Sequence, residues 1–539
     1  MRLLIRILAL TTTLVLTPLL CHFLSRHFTL FLPRHLTSTG NMSHQTQKPI
    51  IIVGAGLAGL SASLSALSAS PLVSIHVLER GPRAGGNSIK ASSGISAAGT
   101  RFQQHHSHHH PKTPQDSAER FYDDTVRSAG GRLLSSKNRE RREGLIKVLT
   151  EASGAAVEWL SELGVDMGTV ARLGGHSAAR THRGGGKTPP GAAIMGALTA
   201  KLKEEKEGRF VLDTGAEVTR LLTQPGEKGG KRVTGVEFVR TDTPQKKETL
   251  LGPVVFASGG FAGDTKGLLA RYRPDLAGLP STNDARPGAH DVLAEAGAEL
   301  VDMDSVQIHP TGFVDPANPG AMVKFLAAEM LRGEGGVLLS GGKRFVNELD
   351  TREKISGKIM GELPRAEGEE EEGGLRQWDV QLLLDPGAAE AAGGHVGFYL
   401  WKGLMRKVKV RELDETTRQT LEEYVKVVRG EKEDRFGRTS FGHWKLGVDG
   451  EIDPEAEVCV ARVTPITHFT MGGALINEKG QVLTSVPGDG EKPIDGLWAA
   501  GEITGGIHGD NRLGGSSLLE CVVFGRIAGQ QAAKAALAE

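Results

Sequence analysis

From residue 50 the chain runs Ile50-Ile51-Ile52-Val53, four β-branched aliphatics with no polar residue between them. Such a run predicts a strand buried on both faces, as in a parallel sheet covered by helices. Leu60 to Ala69 is small and helix-compatible, and Val73 to Leu78 is a second apolar run that closes on Glu79. The order predicts a βαβ unit. Further along, the pattern predicts helical stretches around Glu143 to Leu163 and Ile194 to Glu204. Another buried strand is expected over Pro253 to Ala257, ending in Ser258-Gly259-Gly260-Phe261, where the sheet is revisited. The expected fold class is α/β.

The first forty-odd residues differ from all that follow. Ile7 to Ser25 is apolar and uncharged, Arg2 and Arg6 precede it, Arg26 and Arg34 follow it, and no acidic residue occurs before Glu79. The pattern fits a secretory signal, a signal anchor near the lower limit for spanning, or an Arg-containing mitochondrial presequence. Residues 1–47 are therefore expected to be a targeting or membrane-anchor segment and linker, directing the chain to the endoplasmic reticulum or the mitochondrion. A product starting at Met42 would lack the segment and stay cytosolic. Two polar insertions, His105 to Pro111 and Glu362 to Gly374, read as solvated loops, and the first is not expected to bind metal.

Lysine plus arginine and aspartate plus glutamate balance at 64 each, which excludes nucleic acid as a partner recognised through bulk charge. Any anion site is local. The three cysteines, Cys21, Cys459 and Cys521, lack the spacing of a zinc, iron-sulfur or attached-haem site.

Directly after the first strand stands Gly54-Ala55-Gly56-Leu57-Ala58-Gly59. Glycines there permit a tight turn, close approach to a pyrophosphate and close helix packing, while the helix amino terminus offers N–H groups to the anion. Glu79, twenty residues after Gly59, is placed to accept from ribose hydroxyls. Strand, fingerprint, helix, strand and terminal acid in this order predict a dinucleotide site. Near the other end, Gly501 to Ser516 sets Arg512 among glycines, where its fork of donors suits a carboxylate or phosphate.

Motifs spread over the chain carry a resemblance. They are GAGLAG at Gly54, GGNSIKASSG at Gly85, QIHPTGFVDP at Gln307, KFLAAEMLRGEGG at Lys324, RFVNELDTRE at Arg344, HFTMGG at His468 and AAGEITGGIHGDNRLGGSS at Ala499. From about Pro49 to its end the chain resembles the soluble fumarate reductases of fungi, within the wider fumarate reductase and succinate dehydrogenase flavoprotein group. The resemblance implies a Rossmann-like FAD-binding domain, residues 48–300 plus 463–539, with an inserted α+β capping domain, residues 301–462.

It also implies roles. Gly54, Ala55, Gly56, Ala58, Gly59, Glu79, Arg80, Val218 and Gly259 would hold the dinucleotide. Asn87, Ser88, Lys90, Ser92, Ser93 and Gly94 would line the flavin, with Glu502 on the ribityl chain and Ser517 and Leu518 at the pyrimidine end. Membrane-complex relatives attach FAD to a histidine where this chain reads Ser92-Ser93-Gly94, so the FAD is expected to be noncovalent. Arg512 and His468 would grip one carboxylate of fumarate, and His309 with Thr311 the other. Hydride would come from reduced flavin N5 and a proton from Arg352, resupplied through Glu329 and Arg332. A histidine alone is more often structural; His309 and His468 each stand inside a separate matching motif.

Many relatives read Thr-Gly-Asp-Gly where this chain has Gly288-Ala289-His290-Asp291, a departure expected to alter flavin-side geometry. The same architecture serves aspartate oxidase, which is the alternative within flavoenzymes. A membrane-tethered flavoprotein with little turnover is the alternative from another class. Ketosteroid chemistry uses tyrosines, and the four here fall outside the matching motifs. One dinucleotide fingerprint, assigned to FAD, argues against direct oxidation of NADH, and the resemblance implies reduced FAD or FMN as the electron donor.

Overall fold

The computed structural model describes residues 48–104, 115–186, 188–226, 230–366, 374–486 and 490–538. The expected targeting segment, the histidine-rich stretch from His105 to Pro111 and most of the Glu362 to Gly374 insertion lie outside them. Among the described residues no helix is long and apolar enough to cross a membrane.

Five parallel strands lie in the order Phe210–Thr214, Ile75–Glu79, Ile50–Val53, Val254–Phe256, Gly490–Ala499. The four aliphatics of Ile50–Val53 are buried at the centre of this sheet, with helices over it, which is why the run shows no alternation. Lys231–Arg240 continues the sheet beside Gly490–Ala499 and pairs antiparallel with Ala216–Pro225. Helix Leu57–Ala69 packs on the last helix, Ser516–Ala538, where Gly525 and Gly529 meet the Ala58 and Ala62 backbone. Both ends of the described chain therefore build one layer.

The stretch expected to be helical around Glu143 to Leu163 is two helices, Arg139–Glu151 and Ser153–Glu162. Ser153 makes the break: its hydroxyl donates to the Thr150 carbonyl at 2.7 Å and accepts from the Ala98 N–H at 3.0 Å. A second, antiparallel sheet orders Val306–Phe313, Glu457–Thr470, Val380–Leu384, Val337–Ser340 and Lys343–Arg344. Glu457–Thr470 runs unbroken through the boundary drawn at 462/463. Its first half pairs with Val380–Leu384 and Arg406–Lys409, and its second half with Val306–Phe313. This one pairing sets His309 beside His468, ring centroids 5.3 Å apart.

Candidate active site

The fingerprint turn is built as its residues require. Gly54 has φ +102°, and a Cβ there would stand 2.5 Å from the Ala257 carbonyl oxygen; a Cβ on Gly59 would stand 2.0 Å from that of Gly54. Glu79 fastens the turn to the end of its strand, its carboxylate accepting from the Ala55 N–H at 2.8 Å and the Gly81 N–H at 2.7 Å. The result is a cavity of about 130 Å³ walled by Gly54, Gly56, Ala58, Glu79, Arg80 and Gly259 among others. It is a cradle that larger side chains would fill, and it fits a dinucleotide.

A second cavity, of about 110 Å³, is lined by Lys90, Ser92, Ser93, Gly94, Ser517 and Leu518 on one side and by His309, Arg352, His468 and Arg512 on the other. Asn87, Ser88 and Glu502 line both cavities, so the two are ends of one groove. Of the cofactor residues expected from sequence, Ala55, Gly59 and Val218 stand off these walls: Ala55 N–H is held by Glu79, Gly59 packs on the Gly54 carbonyl, and Val218 is buried in Ala216–Pro225, paired with Phe238. Thr311 also stands back. Its N–H donates to His309 Nδ1 at 3.2 Å and its hydroxyl to the Ala327 carbonyl at 3.2 Å, so it orients His309 from behind and does not face the cavity.

That bond fixes the His309 tautomer. With Nδ1 accepting, the proton sits on Nε2, a buried donor without a partner in the protein. At His468 the arrangement is reversed: Nε2 accepts from Arg512 Nη2 at 3.1 Å, which leaves Nδ1–H as the orphan. Burial and the surrounding cations hold both imidazoles well below their usual range, so both are neutral. The positive charge belongs to the arginines. Arg512 lies over the Phe469 ring at 4.5 Å and donates to the Leu513 carbonyl at 2.9 Å. Burial, then Arg352, lowers it to about 9, which leaves it cationic at neutral pH.

Arg352 opens helix Arg352–Glu362, which Thr351 caps. Its Nη1 donates to Gln307 Oε1 at 3.0 Å and to the Arg512 carbonyl at 3.2 Å, and its Nη2 is ion-paired with Glu329. Burial raises the Glu329 carboxyl, but Arg352 and Arg332 outweigh it and hold the group ionised. Arg332 Nη2 stands 3.6 Å from the other Glu329 oxygen, and burial lowers Arg332 to about 10. The three side chains expected as a relay are therefore brought together. On the cavity residues, the Nε groups of Arg352 and Arg512 join His309 Nε2 and His468 Nδ1 as donors with no partner in the protein. A small dianion supplies what these four lack.

Several wall residues carry no assignment from the sequence. Asn283 and Cys521 line both cavities and Phe469 lines the second. Phe469 was signalled by its place after His468; Cys521, one turn beyond Ser517 on a helix, had no signal of its own. The Gly288 to Asp291 departure packs against Asp264, Phe261 and Arg271. Gly288 N–H donates to Asp264 at 3.0 Å, His290 is buried edge-on against Phe261 at 4.9 Å, and Asp291 pairs with Arg271 at 2.9 Å. Neighbouring Pro287 accepts from Arg80 at 2.6 Å, which ties the turn to the cradle end of the groove rather than to the cationic end.

Glu502 accepts from the Thr470 N–H at 2.9 Å, and burial, with Glu520 nearby, pushes its carboxyl up to about 7. A folded value above the ordinary 4.5 contributes stability that is complete below 4.5 and lost as pH rises through about 7. Thermal unfolding of cofactor-free protein should show the Tm falling by a few degrees more between about pH 5 and about pH 8 than in Glu502→Gln. Parallel Tm curves for the two proteins would contradict this.

Comparison with known proteins agrees with this geometry. Residues 49–518 match the family described as the FAD binding domain. The chain is 40% identical over 515 residues to a fumarate reductase of Schizosaccharomyces pombe, covering 92% of this chain and 91% of the relative. It is 39% identical over 501 residues to fumarate reductase 1 of Saccharomyces cerevisiae, covering 90% and 98%. Among solved structures, the open conformation of a flavocytochrome c3 fumarate reductase matches with a TM-score of 0.65 at 30% identity, over 91% of this chain and 78% of that one. A 3-ketosteroid dehydrogenase from Rhodococcus jostii, at 21% identity and a TM-score of 0.61, shares the fold.

Proposed function

The chain belongs to the FAD binding domain family, and on that premise we propose that it is an FAD-dependent fumarate reductase, an oxidoreductase that irreversibly reduces the C=C bond of fumarate to give succinate. One observation carries the reading: a dinucleotide cradle opens into a pocket whose unpaired groups include the donors of Arg512, Arg352, His468 and His309, with Ser92 Oγ at the flavin end. FAD, when bound, supplies the hydride. The remaining work falls to the chain.

Arg512 and His468 take one carboxylate, and His309, steadied by Thr311, takes the other. Each charge-assisted bond contributes about 1.5 to 3 kcal/mol. Neutral histidines donate without adding charge, so the field that polarises the alkene comes from the two guanidiniums. Arg352 gives the proton. Free arginine is a poor acid, with a pKa above about 12, so the transfer requires contact with the developing carbanion and immediate reprotonation. Glu329 supports the second requirement, because it is already ion-paired with Arg352 and Arg332 stands on its far oxygen.

The FAD is held noncovalently in this proposal, since the loop at the flavin end reads Ser92-Ser93-Gly94 and the nearby His395 Nε2 is engaged with the Ser92 carbonyl at 2.8 Å. Acid precipitation should leave the flavin in the supernatant. Reduced free FAD or FMN is the proposed donor, and the amino-terminal stretch delivers the chain to the endoplasmic reticulum or mitochondrion. Fractionation of cells expressing the full chain and a form begun at Met42 checks the last point. Activity is tested with dithionite-reduced viologen dye: fumarate should reoxidise the dye through FAD-loaded protein, whereas L-aspartate added anaerobically to the oxidised holoprotein should not reduce its flavin. No reoxidation at full flavin occupancy would overturn the assignment.

A further inference from the structure

A proton relay that turns over has to be refilled from water, and none of the three residues in this one reaches it: Glu329 is 3% exposed, Arg332 1% and Arg352 5%. Arg332 leads deeper into protein. Its Nη1 donates to the Glu348 carbonyl at 2.7 Å, and the Glu348 side chain is itself enclosed between Arg344 and Arg438.

Glu329 has a different neighbour. A cavity of about 1020 Å³ lies behind the relay, walled by Leu173, Gly175, His176, Glu334, Asp350 and Thr351 among others, and it shares no wall residue with the cofactor groove. Arg127, Lys354 and His443 line it and are exposed, so it opens to solvent. A water occupies about 30 Å³ of liquid, so there is room for many. Glu334 holds Arg183 and His443 at 2.8 Å each, and Asp124 holds Arg127 at 2.9 Å. Charges paired among themselves make a wet vestibule rather than a grip on one ligand.

Between this vestibule and Glu329 the chain has glycine. Gly174 follows Leu173 and precedes Gly175 on the wall, and a Cβ on it would stand 3.1 Å from Glu329 Oε1 and 2.8 Å from the Asp350 carbonyl oxygen. A Cβ on Gly514 would stand 3.0 Å from Glu329 Oε2 and 3.2 Å from Arg352 Nη2. Neither glycine has a left-handed φ, so what each supplies is room rather than a special backbone conformation. His176, buried on the vestibule wall, braces the second: its Nε2 donates to the Gly514 carbonyl at 3.0 Å, which leaves Nδ1 as a lone pair with no partner in the protein. Burial, then Arg180, lowers this imidazole to about 3, so it is neutral and free to accept.

We propose that this cavity is the proton inlet of the reductase, meeting the relay at Glu329 Oε1 across Gly174, and that His176 is a positioning residue at the junction, holding Gly514 in place and a water on Nδ1. The proposal rests on the reading of the chain as a fumarate reductase. Its steps balance. Arg352 gives one proton to the substrate carbanion and is left neutral; a proton from solvent binds Glu329, whose carboxyl then reprotonates Arg352. Carboxylate and guanidinium recover their charges, and the net change is one proton drawn from bulk water for one C–H bond formed.

The test separates the first turnover from those that follow, because the first uses the proton already on Arg352. In FAD-loaded His176→Phe and His176→Ala, reduced flavin mixed anaerobically with fumarate should be reoxidised within about twofold of the wild-type rate, whereas viologen-driven steady-state kcat should fall about tenfold or more, with an enlarged solvent isotope effect. Added imidazole, small enough to enter the vestibule, should restore steady-state turnover in His176→Ala, and His176→Gln, which can still donate to Gly514, should keep most of it. Single-turnover and steady-state rates that fall together in both variants, wild-type rates in both, or a loss in His176→Ala that imidazole leaves unchanged would overturn the inlet. The underlying reading fails separately: it falls if the wild type, at full flavin occupancy, shows no viologen-driven turnover.

Discussion

Arg352→Ala should retain its FAD and lose fumarate reduction by about 10³-fold or more in kcat, within the range expected when a general acid is removed. The size follows from position. Arg352 lines the cavity, its Nη1 is held by Gln307 and the Arg512 carbonyl, and its Nη2 is ion-paired with Glu329, so no other acid of the relay reaches the substrate end. The substitution also leaves buried Glu329 without the guanidinium that does most to keep it ionised. A loss caused by misfolding would appear as lost flavin and a lowered Tm. A loss caused by the missing acid would keep the flavin bound, with the Tm lowered only by the unpairing of Glu329, and would be partly restored by added guanidinium ion. Activity within tenfold of wild type would remove Arg352 from the proton-transfer role.

Arg512→Ala should lower kcat/KM for fumarate by about 10² to 10⁴-fold, the effect of losing two charge-assisted bonds of about 1.5 to 3 kcal/mol each. Arg512 stands in the cavity as a desolvated cation, stacked on Phe469, with its Nε unpaired. Binding a carboxylate relieves that cost, so the site favours an anion before it distinguishes which one. Arg512→Lys should recover little, because a point charge does not reproduce the fork. The backbone carbonyl of residue 512 still holds Arg352 and Gln307 in both variants, which keeps the acid in place. Steady-state kinetics against fumarate checks this; an unchanged KM and kcat in Arg512→Ala would contradict it.

The sequence made the cofactor end legible because its chemistry is local: a buried strand, a turn only glycine can make and an acid at a fixed distance are neighbours in the chain. The substrate end is assembled from Gln307 to Thr311, Glu329, Arg352, His468 and Arg512, and nothing in their spacing places them together. A family resemblance, not periodicity, singled them out. Even so, it did not separate His309, on the cavity wall, from Thr311, behind it, because both lie in one bulged strand whose register only the pairing with Glu457–Thr470 sets. The split at Ser153 was equally hidden, since it depends on a hydrogen bond to Ala98, far away in sequence. The Gly288 to Asp291 departure packs beside Asp264 and Phe261 and meets the cofactor cradle through the Pro287 carbonyl on Arg80, contacts that no local pattern announces.

In the proposed reaction this groove passes hydride to fumarate and Arg352 completes the reduction. Anaerobic mixing of reduced, FAD-loaded protein with fumarate tests it in a single turnover. Wild type should reoxidise its flavin and form one succinate per flavin, while Arg352→Ala, with flavin equally bound and equally reduced, should stay reduced over the same interval. Wild-type flavin that remains reduced in the presence of fumarate, or an Arg352→Ala protein that reoxidises as fast as wild type, would contradict the account.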